Sequence, residues 1–166
     1  MQKSRIILLA LAGIGLASTA SAQSTPQVSD QMSQSGFMLE NGLIIPPFDA
    51  EKGRALFASK GCVVCHNING VGGEDAPDIS AGHMEDGMNA FEFAARMWLG
   101  APAMIAMQEM ELGEQIELTG EELAAIIAFV HDPDEQAKFS EDDIPENIKE
   151  ILEADEDEEG EDGDEG

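Results

Sequence analysis

The sequence predicts a small all-helical domain of about four helices. Apolar residues recur at helical spacing behind recognisable helix-start residues, and no stretch sustains the period-two alternation of a half-buried strand. The helices are also short, so they enclose little by themselves. A domain of this kind needs a staple beyond its own core.

The first helix is expected between Asp49 and Lys60. Asp49 suits the N-cap, Glu51 favours the first turn, and Ala55, Leu56 and Phe57 supply apolar material. Gly53 is costly here, at about 1 kcal/mol inside a helix, which close approach of another helix would explain. A second helix is expected over 89–99. Asn89 and Glu92 have capping-box spacing, Phe91, Ala94, Ala95 and Trp98 mark a face, and Gly100 ends it. Pro102 suits the first turn of a third helix near 102–112. The fourth has the clearest signals: Thr119 and Glu122 form a capping box, and Leu123, Ile126, Ile127 and Val130 share a face. Asp132-Pro133 terminates it.

The chain of 166 residues carries 34 acidic and 8 basic residues, a formal charge of -26. Phosphate binding wants the opposite sign, so nucleic acid is excluded as a natural partner. Lys3 and Arg5 precede an apolar run from Ile6 to Ala17, and Ala20-Ser21-Ala22 fits a cleavage site. Residues 1–22 therefore read as a secretory signal peptide, and the apolar run is shorter than the roughly 20 residues needed to span a bilayer. The exported chain has no transmembrane segment. Residues 23–48 read as a loose or extended lead-in, 49–132 as the folded domain and 133–149 as an extension in which Pro145 and dense charge weigh against a helix. In the tail, 150–166, 11 of 17 residues are acidic, which predicts disorder.

Cys62-Val63-Val64-Cys65-His66 is a C-x-x-C-H motif, the signature of c-type haem attachment. Two thiols at this spacing can each form a thioether to one edge of a porphyrin, and the adjacent His66 is placed to bind the iron. Three alternatives compete. A thioredoxin-like pair would want a βαβ pattern; a zinc site would want four ligands, with only His83 and His131 on offer; a simple exported disulfide needs nothing more than the two cysteines.

From Asp49 to Val130 the chain resembles a class I (cytochrome c-like) monohaem cytochrome c. Gly53, Phe57 and Cys62 to His66 resemble that family's N-terminal helix and haem motif. The helix at 119–130 resembles its C-terminal helix, which crosses the first at a small contact where Gly53 belongs. Gly72-Gly73 and Ala76-Pro77-Asp78 resemble the loop whose proline packs by the proximal histidine. The resemblance implies one covalent haem c, with Cys62 and Cys65 as thioether donors and His66 as an axial iron ligand. It also implies a second axial Met from a loop, often as Pro-x-Met. Pro102-Ala103-Met104 matches, with Met107 and His83 as alternatives. Phe57, Pro77, Phe93, Arg96 and Trp98 fall in the expected haem surroundings, with Leu99 and Ile105 helping to keep water from the iron. Arg96 pairs either with a haem propionate or with Glu92, four residues earlier.

An iron closed by two protein ligands exchanges electrons and binds no substrate. The expected function is a periplasmic electron carrier, not an enzyme. Its expected partners are redox proteins with basic docking surfaces, which the acidic charge would steer. The alternatives are a haem subunit of a dehydrogenase or sulfur-compound oxidising complex, and a gas-binding or peroxidase-like haem protein.

Overall fold

The structure is a computed structural model that describes residues 36–85 and 87–162, with side chains up to residue 154. The expected signal peptide lies outside the described residues, as does the lead-in before residue 36. What remains of that lead-in forms an antiparallel pair, β1 (Phe37–Met38) with β2 (Ile44–Ile45). Helix α1 (Ala50–Ser59) follows, then the single turn α2 (Cys62–Cys65). A second tight pair, β3 (Asn67–Ile68) with β4 (Val71–Gly72), and a 3-10 turn at Ala81–His83 lead into the long helix α3 (Ala90–Glu111). Then come α4 (Gly120–Val130), α5 (Pro133–Gln136), a 3-10 turn at Glu141–Asp143 and α6 (Glu146–Asp162).

The expected caps are present. Asp49 accepts the Lys52 N–H at 3.0 Å, Asn89 accepts that of Glu92 at 3.0 Å, and Thr119 and Glu122 close a reciprocal capping box. Gly53 explains itself. A Cβ there would stand 2.0 Å from the Ala125 carbonyl oxygen, so only glycine lets α1 and α4 touch backbone to backbone.

Beside that crossing lies an aromatic cluster. Phe57 and Phe129 are fully buried, with ring centroids 5.8 Å apart, and Phe139 closes the trio at 5.4 and 5.8 Å from them. Tilted and edge-on rings at this separation attract beyond simple burial. Phe139 lies in the extension, which therefore completes the core rather than trailing from it. Ile144 and Ile148 are buried there too. Arg54 on α1 clamps the same segment, donating to Glu135 at 2.8 Å and to Asp143. Gln136, 1% exposed, donates to the Phe129 carbonyl at 3.1 Å and accepts the Ala81 N–H at 2.7 Å. That one amide ties the loop before α3 to the end of α4.

Two expectations are corrected. The helices expected at 89–99 and 102–112 are one helix of 22 residues, α3, with Pro102 inside it. Proline removes one backbone donor and crowds the preceding turn but does not forbid helix on either side. The residues around it are strong formers: Ala, Met and Leu. The tail expected to lack structure from residue 150 is helical as far as Asp162 in α6. Ile148 is buried, and Ile151 and Leu152 pack on the core, so the first turns have an anchor from which the helix extends.

Candidate functional site

Gly61, at φ +82°, turns the chain sharply between α1 and α2. The single turn of α2 then sets Cys62 and Cys65 three residues apart, on neighbouring positions of one helical side. Val63 and Val64, both fully buried, pin the turn from its other side. Both cysteines are thiols. Burial pushes the Cys62 thiol up from the ordinary 9.0 to about 11, so at neutral pH it is protonated.

His66 leaves the helix in extended conformation, at φ -106° and ψ 142°. Its Nδ1 lies 2.8 Å from the Pro77 carbonyl oxygen. A carbonyl only accepts, so Nδ1 carries a proton, and in the neutral ring that puts the lone pair on Nε2. A metal-binding histidine is oriented in the same way, by donating its other N–H to a backbone carbonyl. The loop carrying Pro77 is laid against α2 by backbone contacts that exclude side chains. A Cβ on Gly73 would stand 1.8 Å from the Val64 carbonyl oxygen, and one on Gly72 2.5 Å from that of His66. Gly73 N–H donates to Val63 and Ala76 N–H to Cys65, both at 2.9 Å. Asp78 then accepts from the backbone N–H of Ser80 at 2.7 Å, fixing the turn just past Pro77.

The structure thus gathers Cys62, Cys65, His66 and Pro77 around one turn, with Phe57 beneath them in the aromatic cluster. Met104 comes from a separate element, α3. It is half-buried, on the same side of the helix as buried Phe93 and half-buried Met97. Its methyl reaches back over Gly100, 3.7 Å from where a Cβ would be. Long helical side chains lean toward the preceding turn in this way. Met104 sits within a helix, not on the loop that the resemblance implied. Met107 is half-buried one turn on.

Other expected residues are engaged elsewhere. Arg96 binds Glu85 at 2.9 Å and Glu92 at 3.2 Å, the second being the pairing expected four residues earlier. Trp98 and Leu99 are each 83% exposed. His83 is exposed and lies 3.4 Å from Asp78. His131 carries a feature that sequence reasoning missed. Its Nδ1 donates to the Ile127 carbonyl at 2.8 Å, its ring meets Phe93 edge-on at 5.8 Å, and its buried Nε2 finds no hydrogen-bond partner among the described residues. Only its position at the end of an apolar helix face hinted at this. Among the described residues no group of three His, Cys, Asp or Glu could hold a metal ion, so the zinc alternative has no ligand set there.

Two thiols on one turn and an imidazole fixed with one lone pair free of the chain fit covalent haem attachment by their donor chemistry. The family model for cytochrome c matches residues 50–134. The chain belongs to the cytochrome c family. Comparisons with curated proteins and with solved structures find no match. The match begins at the start of α1 and ends at the second residue of α5, so it spans the Gly53 crossing, the cysteine motif and the whole of α3. Members of this family carry covalently bound haem c and are in general electron carriers rather than enzymes. The all-helical character follows the family, with strands limited to two-residue pairs among the described residues. Among the described residues no helix is long and apolar enough to cross a membrane.

Proposed function

We propose that this cytochrome c is a periplasmic electron carrier that moves one electron at a time between redox proteins. The single observation that carries the reading is the His66–Pro77 hydrogen bond of 2.8 Å, which puts the proton of the neutral ring on Nδ1 and its lone pair on Nε2, next in sequence to the two thiols of α2. Cys62 and Cys65 would hold the porphyrin by thioethers, and His66 and Met104 would ligate its iron. The chemistry the group would supply, once bound, is one-electron exchange between Fe(III) and Fe(II), with the electron coming from a reduced donor and going to an oxidised acceptor. The chain supplies the fixed imidazole, the apolar surroundings and the thioether, which raises the potential relative to a second nitrogen ligand.

Export is supported by the apolar leader and the A-x-A site at Ala20 to Ala22. Partners with basic docking surfaces are supported by the charge of -26. A second reading, an iron that opens to small ligands, is favoured by one observation: Met104 lies in a continuous helix, which constrains how far it can approach the iron.

The test is optical spectroscopy of the protein matured in the periplasm, oxidised and reduced. A ferric charge-transfer band typical of His/Met ligation, lost in Met104→Leu, together with a reduced spectrum indifferent to carbon monoxide, is the expected result. Prompt carbon monoxide binding by the reduced wild type would replace the closed-site reading with the ligand-binding one. Absence of any haem absorbance after correct maturation would overturn both.

A further inference from the structure

Helix α3 is apolar on both sides. Its inner side carries Phe93, Met97 and Met104. Its outer side carries Phe91 (72% exposed), Trp98 (83%), Leu99 (83%) and Met110 (70%). At 100° per residue, Trp98 lies about 140° around the helix from Phe93, so the two faces are distinct. Exposed Ala95, Pro102 and Ala106 fill the spaces between the large side chains. The strip runs from Phe91 to Met110, about 29 Å at 1.5 Å per residue. Isolated exposed apolar residues are ordinary; a continuous strip with two aromatics marks a binding surface.

The charge around the strip says what can cover it. Arg96 is the only cation on α3, and Glu85 and Glu92 both bind it. Glu92 and Glu109 are exposed at its two ends, so its surroundings are net acidic. A second copy of the chain would bring the same acidic surroundings and another charge of -26. An anionic bilayer is repelled in the same way. An apolar patch ringed by lysine and arginine fits both parts at once. Aromatic residues and methionine are enriched at interfaces, and tryptophan is among the residues that most often anchor them.

We infer that the outer face of α3 is the docking surface for a redox protein whose contact patch is apolar and ringed by lysine and arginine. This rests on the electron-carrier reading, because that reading puts Met104 on the opposite side of the same helix. The docked partner would then stand one helix thickness, about 10 Å, from the proposed iron ligand.

Stopped-flow oxidation of the reduced haem protein tests this with two one-electron acceptors: a lysine-rich c-type cytochrome and the small complex tris(phenanthroline)cobalt(III). Phe91→Ser/Trp98→Ser should slow the reaction with the basic cytochrome about tenfold and leave that with cobalt within twofold, while the haem spectrum is unchanged. Ala95→Lys/Ala106→Lys, which removes no packing, should do the same and guards against misfolding of the serine variant. Equal rates for wild type and both variants with the basic cytochrome would overturn the proposal. So would a wild-type dimer that Phe91→Ser/Trp98→Ser dissociates, or vesicle binding lost in that variant, since the face would then belong to a second copy or to lipid. Failure of the cobalt complex to oxidise the wild type would sink the electron-carrier reading itself, and the docking surface with it.

Discussion

The crossing of α1 with α4 and the long helix α3 are built on opposite terms. At the crossing, backbones touch at Gly53, three phenylalanine rings interlock, and Arg54 and Gln136 stitch the following segment down. In α3, only Phe93 of 22 residues is buried. The first region is closed by the chain's own side chains. The second is apolar inside and outside without being enclosed, so its order depends on what binds it. In this account haem c binds the inner side and a partner protein covers the outer.

Mutations should separate the two regions. The largest effect belongs to Gly53→Ala, since the added methyl meets the Ala125 carbonyl oxygen. It should cost roughly 3 kcal/mol in denaturant unfolding, with or without haem. A neutral result would dissolve the distinction, because the crossing would then be as soft as α3.

Arg54→Ala comes next. It leaves Glu135 buried with Lys138 as its remaining cation. A loss of about 2 kcal/mol is expected. The hydrogen bond from Lys138, ahead of that from Arg54, holds the Glu135 carboxyl below the ordinary carboxylate range, although burial pushes it up. A carboxyl lowered in the folded state stabilises above its unfolded pKa, and that stability is lost as pH falls through the folded value. The wild type should therefore lose stability on acidification below about pH 4.5, the ordinary glutamate value. Arg54→Ala should show a smaller acid loss.

Matched caps give a finer comparison. Thr119 caps α4 and Asn89 caps α3 with the same side-chain-to-backbone bond. Thr119→Ala should lower global stability by ~1 kcal/mol. Asn89→Ala should leave the denaturation midpoint nearly fixed and instead speed amide exchange in the first turn of α3, because that helix opens on its own. Equal shifts in the midpoint would show the two helices to be one cooperative unit.

At neutral pH the smallest effect concerns Cys62. A thiol raised from 9.0 to about 11 on folding weakens the unattached protein as pH rises from about 9 toward 11, because the unfolded chain ionises first. Thioether formation removes the ionisable group. The haem-bearing protein should lack that part of the alkaline loss, which Cys62→Ala should also abolish in the unattached protein.

The site was more legible than the scaffold around it. C-x-x-C-H names its chemistry by residue type and spacing, and Pro77 was placed beside His66 by resemblance to the family loop. Gly53 announced a close contact because glycine inside a helix needs a reason. Legibility failed where one local rule competed with another. Gly100 and Pro102 read as a helix break, yet the surrounding alanines, leucine and methionines carry α3 through them. The extension hid its role because Phe139 stands alone, and Ile144, Ile148, Ile151 and Leu152, although at helical spacing, are interleaved with acidic residues around Pro145. Arg96 had two partners in reach by sequence, and only the structure shows Glu85 joining Glu92 to hold it.

Amide hydrogen exchange, read segment by segment, tests the central claim most directly. It would compare the haem-bearing protein with Cys62→Ala/Cys65→Ala, which cannot attach the group. Equal protection across α1 and α4 is expected in both proteins, with protection of α3, strongest around Met97 to Met107, that depends on haem. Haem-dependent protection confined to Cys62 through Pro77, with α3 equally protected in both proteins, would contradict it.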